Sequence, residues 1–198
     1  RYHATQIVFF ASLSALLTVV VYTQAKHSWH KIKNASFTVH FFRSLTMFLA
    51  MSCFIYSTFY LPLTTLYSII FTIPLLITIG GAVFLNEKVS WRRYTATIIG
   101  FIGALIAIDP FNSEFSKISI LAIIMPFFPA ISYLIVRKYG NQESLFSFLI
   151  YGKLFMILFS SIFVFYFYKP MPINDLLINL SSGVLRGVAI IFVINSAR

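Results

Sequence analysis

The run LPLTTLYSIIFTIPLLITIGGAVFLNEK, residues 61–88, decides the class of fold. Between Pro62 and Glu87 it holds no charged side chain. Coiled as a helix, Leu63 to Leu85 is long enough to cross the roughly 30 Å of hydrocarbon in a bilayer. Strands of a membrane barrel would instead alternate apolar and polar residues over about ten positions. Runs such as Leu145 to Tyr168 are apolar on every side, so helices are expected throughout.

Six further runs of this kind flank the first. They cover Ala4 to Ala25, about Val39 to Tyr60, Trp91 to Ile108, Ile118 to Val136, Leu145 to Tyr168 and Leu176 to Ala197. Glu87-Lys88 closes the run 63–85, and Asp109-Pro110 stops the next. No gap is long enough to hold a soluble domain. The composition agrees: of 198 residues, 59% are hydrophobic and 10% charged, against about 25% charged in soluble domains. That excludes a water-facing globular enzyme, and the lone Cys53 excludes an internal disulfide framework. A cleaved signal peptide is the alternative for Ala4–Ala25. The run is long for a signal core and lacks a clear small-x-small cleavage site.

The net charge of +10 sets the orientation. Lys26, Lys31, Lys33, Arg43, Lys88, Arg92, Arg93, Arg137, Lys138 and Arg198 fall on one side of the threaded chain, and only Arg1, Lys117 and Lys169 on the other. Cytoplasmic loops carry the excess of Lys and Arg. Residue 1 is therefore expected outside and residue 198 in the cytoplasm. Spread through short gaps, these cations make no stripe for nucleic acid.

The stretch from His40 to Pro110 carries a more specific pattern. Arg43 opens one span, Leu61-Pro62-Leu63 forms a junction, and an aromatic run from Tyr67 ends at Pro74. Leu85-Asn86-Glu87, Arg92-Arg93 and a glycine-bearing helix from Gly100 to Pro110 follow. This order resembles the EamA branch of the drug/metabolite transporter superfamily, nearest to bacterial S-adenosylmethionine uptake transporters. The resemblance implies an all-α integral membrane fold of ten helices in two inverted repeats of five. Seven of them are here: helices two to five over residues 1–110, and six to eight over residues 111–198. It implies a secondary transporter, not an enzyme, that moves a small polar metabolite by alternating access. A small molecule and membrane lipid are the expected partners, a homodimer is a compatible assembly, and no cofactor is implied.

Arg186 is the sharpest candidate for substrate binding. It lies about 15 Å from either end of its run, where an Arg costs roughly 2.5–3.5 kcal/mol to insert. An anchor for a carboxylate is the functional reading; a link to backbone carbonyls is the structural one. Gly183 and Gly187 beside it could admit a close neighbour. Lys153 is a second cation, about 12 Å deep, with a stem able to snorkel. Pro74, Pro126 and Pro129 sit inside their runs. Proline removes a backbone donor and kinks a helix, and broken helices mark many transporter sites. Tyr56, Tyr67, Ser68 and Thr72 are placed to line a path near Pro74, unless their hydroxyls bond their own helix backbone. Arg43, Glu87, Arg92 and Arg93, with Pro126 and Pro129, are read as structural or gating residues. Glu87 is expected in an ion-paired turn with Lys88, Arg92 or Arg93. His27, His30 and His40 lack further ligands for a metal, and read as part of a basic loop at the lipid surface. No acid lies firmly inside a run, so a carboxylate proton relay has no candidate. An intramembrane lipid-modifying enzyme and a non-catalytic scaffold are the competing functions. The first lacks an acid/base cluster at a membrane face, and the second leaves a midplane Arg unexplained.

Overall fold

The computed structural model describes residues 2–27, 29–32, 36–108 and 117–196. Among these the chain is helical, with no strand. The elements are α1 (Ala4–Ala25), a 3-10 turn (Trp29–Ile32), α2 (Phe37–Ser57), α3 (Leu63–Ile70), α4 (Ile73–Phe84) and α5 (Trp91–Ile108). They continue with α6 (Lys117–Ile124), α7 (Phe127–Tyr139), α8 (Leu145–Phe167) and α9 (Ile173–Ser196). The expected boundary at Asp109-Pro110, and Arg1, Lys33 and Arg198 of the charge count, lie outside the described residues.

Two of the seven expected helices are each broken in two. The first breaks at Phe71-Thr72, immediately before Pro74 in the first turn of α4. The second breaks at Met125-Pro126. In each case the proline ring cannot donate to the preceding turn and crowds its carbonyl. The Thr72 hydroxyl repairs one break by donating to the Ile69 carbonyl at 2.6 Å. Six helical stretches are long and apolar enough to cross a membrane: Ala4–Ala25, Phe37–Ser57, Leu63–Phe84, Ile120–Tyr139, Leu145–Phe167 and Ile173–Phe192. The remaining helix, α5, begins Trp91-Arg92-Arg93, which shortens its apolar stretch.

The chain divides into two compact units, residues 1–48 with 139–198, and residues 49–138. In the first, α1 packs on α8 and α9. It runs antiparallel to α8. At one end His3 stacks on Phe167 at 4.8 Å and the Gln6 amide donates to the Lys169 carbonyl at 2.6 Å; at the other, Tyr22 stacks on Phe146. It runs parallel to α9, where the Asn179 amide donates to the Ile7 carbonyl at 3.3 Å. A Cβ on Gly183 would overlap Ser14 and the Ala11 carbonyl, and one on Gly187 would crowd Thr18. Small residues thus let two helix backbones meet. The start of α2 lies parallel to α8 along a ladder of rings, with Phe41 against Phe155 and Phe159, and Phe48 against Phe159 and Phe163. Each well-placed ring pair adds about 0.5–1.5 kcal/mol beyond its buried area.

In the second unit the two broken helices lie side by side and parallel. Leu66 and Ile69 of α3 cluster with Ala122 of α6 and Met125 at the second break. Farther along, Gly80 of α4 admits Leu134 of α7. At the same end Glu87 meets Arg137 at 2.8 Å. In the first unit α1 and α9 thus share one direction and α2 and α8 the other, as in a chain that crosses at every span.

Gly183→Ala in the full-length protein should lower stability by about 1–3 kcal/mol, because the clash is with backbone that cannot yield. A Cβ on Gly103 meets nothing within 4 Å, so Gly103→Ala should be neutral or stabilising by about 0.5–1 kcal/mol. Thermal melts in detergent check the pair. Equal melting points would contradict the close α1–α9 contact.

Candidate functional site

A cavity of about 90 Å³ opens in the first unit between α2, α8 and α9. Arg43, Ser44 and Met47 of α2 form one wall. Phe148, Leu149, Gly152, Lys153 and Met156 of α8 form another, and Ile190 of α9 reaches in from a third side.

Arg43 is the organising group. Counted from sequence among the loop cations, it sits inside α2, in the helix's second turn. Its guanidinium Nη1 donates to the Phe148 carbonyl at 2.9 Å, and its Cζ lies 5.1 Å from the centre of the Phe148 ring. A Cβ on Gly152 would stand 2.9 Å from Nη1, so glycine there makes room for the guanidinium. Lys153 follows on α8, half-buried, and both Arg186 and Arg43 act on it as like charges. Arg186 itself is exposed on α9, one helical turn before Ile190 and so on the same helix face. Next to Arg43, the Ser44 hydroxyl is buried without a hydrogen-bond partner among the described residues. Such an orphaned group costs about 1–3 kcal/mol, a cost that a bound hydroxyl, carboxylate or water would relieve.

Arg43 and Lys153, from two helices, therefore line one cavity whose lining contains no carboxylate, and Arg186 of the third helix lies near enough to act on Lys153. Arg186 and Lys153 were singled out by depth alone. That Arg43 joins them is visible only in the packing of α2 on α8.

The other sequence candidates belong to the second unit. The Tyr56 and Tyr60 hydroxyls meet at 3.4 Å, and Tyr67 makes an edge contact with Phe54. Ser68 donates to the Thr64 carbonyl at 3.0 Å, and Thr72 to that of Ile69; both thus bond their own helix. Pro74 opens α4, Pro126 is buried at the break, and Pro129 lies in the first turn of α7. Glu87 is ion-paired, but with Arg137 of α7. Among the described residues it makes no salt bridge to Lys88, Arg92 or Arg93. Asn86 explains the reach: it takes the left-handed conformation, φ 52°, which Asn tolerates at a helix end. The turn lets the Glu87 amide donate to the Gly81 carbonyl at 3.2 Å.

Two residues escaped the sequence reading. His40, grouped there with a lipid-facing loop, is fully buried in the first turn of α2. Its Nε2 lies 3.2 Å from Oε2 of Glu143, whose side chain is 5% exposed. The other carboxylate oxygen accepts from the Ser36 amide at 2.6 Å. Phe148 packs edge-on to the imidazole and Tyr151 stacks on it. The available signal was spacing: His40 precedes Arg43 by three residues, on the same helix face.

Residues 1–108 match the EamA-like transporter family. The chain is 31% identical over 157 residues to the S-adenosylmethionine uptake transporter of Rickettsia bellii, covering 78% of this chain and 53% of that protein. It is 28% identical over 131 residues to the riboflavin transporter of Vibrio cholerae, covering 66% and 44%. It is also 24% identical over 149 residues to the pseudopaline exporter of Pseudomonas aeruginosa, covering 75% and 52%. The chain thus spans about half the length of the curated relatives it matches. No solved structure matches it. The candidate spans make it a multi-pass membrane protein, and the match over more than half its length makes it a member of the EamA-like transporter family.

Proposed function

We propose that this chain forms part of a secondary transporter that carries a small polar metabolite with an anionic group across a bacterial inner membrane. The observation that carries the reading is the pair of cations Arg43 and Lys153 lining one cavity within apolar spans, with Arg186 close enough to act on Lys153 as a like charge. Charges at membrane depth are expensive and usually serve a pathway or a substrate. A carboxylate entering the cavity would offset the mutual repulsion of the cations. S-adenosylmethionine, named for the Rickettsia relatives, is the first substrate to test, with its carboxylate at the cations. The whole transporter is a ten-helix inverted repeat, with residues 1–110 in its first half and 111–198 in its second. The two halves rock to expose the cavity to each side in turn. Tyr56, Tyr67, Ser68, Thr72 and Pro74 of the second unit are further candidates for contact with the metabolite.

Uptake of labelled S-adenosylmethionine by cells expressing the full-length protein tests the reading. Arg186→Gln should reach the membrane at normal levels and lose at least about tenfold in uptake, equivalent to ~1.4 kcal/mol. Lys153→Met should lose uptake similarly while melting no lower than the parent, because an ammonium in an apolar wall costs stability. Normal uptake by both variants would remove the cationic cavity from the transport path.

The orientation has its own test. In a Cys53→Ser background, a cysteine replacing Gln142 should be shielded from an impermeant thiol reagent in intact cells, and one replacing Pro170 labelled. These positions flank α8 at opposite ends. The reverse pattern would invert the topology.

A further inference from the structure

We propose that His40 and Glu143 form a proton-binding site coupled to the anion cavity, so that the proton and the anion bind together. The inference deepens the transport reading and rests on it for its physiological meaning, but the site can be tested without transport.

The geometry is that of a protonatable pair. His40 is 0% exposed, and its ring meets the carboxylate of Glu143 through Nε2. The neutral ring donates Nε2–H to Glu143, and its second nitrogen, Nδ1, is buried with no hydrogen-bond partner among the described residues. That lone pair is where an added proton goes; no other bond breaks. The charged and titratable groups facing the ring are few. Burial of the ring opposes the proton most, Glu143, from the turn before α8, favours it, and Arg43, one turn along α2, opposes it. Tyr151 of α8 covers the ring face.

Arg43 couples the pair to the cavity, because it both lines the cavity and repels a proton on His40. An anion held at Arg43 offsets that repulsion and so favours the proton. By thermodynamic reciprocity, the proton favours the anion by the same factor. The two sites also share one support: Glu143, through Ser36 and His40, and Arg43, through the Phe148 carbonyl, fasten the same end of α2 to α8.

Two measurements on the full-length protein decide the matter. In detergent, nitrogen NMR of labelled histidine, taken as wild type minus His40→Gln, should show one imidazole that gains a proton as the pH falls. Glu143→Gln should move that titration to lower pH. In liposomes, initial uptake of S-adenosylmethionine by the wild type should rise by at least about fivefold as pH falls through that titration. His40→Gln should still transport, with a profile flat across the range. Absence of a titrating His40 signal, or a titration unmoved by Glu143→Gln, would overturn the proton site. An unchanged pH profile in an active His40→Gln protein would overturn the coupling. If the wild type carries no S-adenosylmethionine, the substrate reading fails alone, and the histidine titration still decides the proton site.

Discussion

Hydrocarbon offers no partner to a peptide group, so every N–H and C=O that crosses it must be satisfied within the chain. This constraint shapes the molecule at each level. It requires helices of membrane length, and it sets the terms on which Pro74 and Pro126 interrupt two of them. The Thr72 hydroxyl covers a carbonyl at the first break. The two breaks are sheltered by a shared cluster of Leu66, Ile69, Ala122 and Met125. Hydroxyls elsewhere bond their own helices, as Ser160 and Thr23 do. With the backbone satisfied locally, helix association falls to shape: small residues bring α9 onto α1, and rings fasten α2 to α8.

Charge follows the same logic with a different outcome. The pair of Glu87 and Arg137 stands at the helix ends, its side chains 30% and 44% exposed. An exposed pair of this kind contributes about 0–1 kcal/mol, and it pins the ends of the two broken helices together. Arg43, Lys153 and Arg186 lie along the spans, where like charges cost more. Guanidinium bonding to the Phe148 carbonyl and contact with its ring lower the cost for Arg43. Membership of the EamA-like family fits a chain that keeps charged side chains inside an apolar frame.

His40 and Arg43 illustrate how position changes the meaning of a residue. Both stand near the start of the second apolar run, and by sequence both read as edge or loop cations. Helical spacing puts them one turn apart on one face, and packing of that face on α8 buries the first and aims the second into a cavity. Glu143 reads as a loop acid for the same reason, although it directs its carboxylate back onto α2.

Composition and period determined the helical class, the number of helical runs and nearly all their ends, because crossing hydrocarbon imposes a length and an apolar content on each segment by itself. They also located the prolines and the deep cations Lys153 and Arg186, since depth is a count along one helix. The family pattern from Arg43 to Pro110 is likewise linear. Only the tertiary structure decided which helices touch, and so which charges meet. The partner of Glu87 lies fifty residues away in Arg137, that of His40 more than a hundred away in Glu143, and Arg43 reaches Phe148 at a similar remove. Those pairings depend on where small side chains permit close approach and where rings interlock. Such surface matching belongs to two helices at once and is written in neither alone.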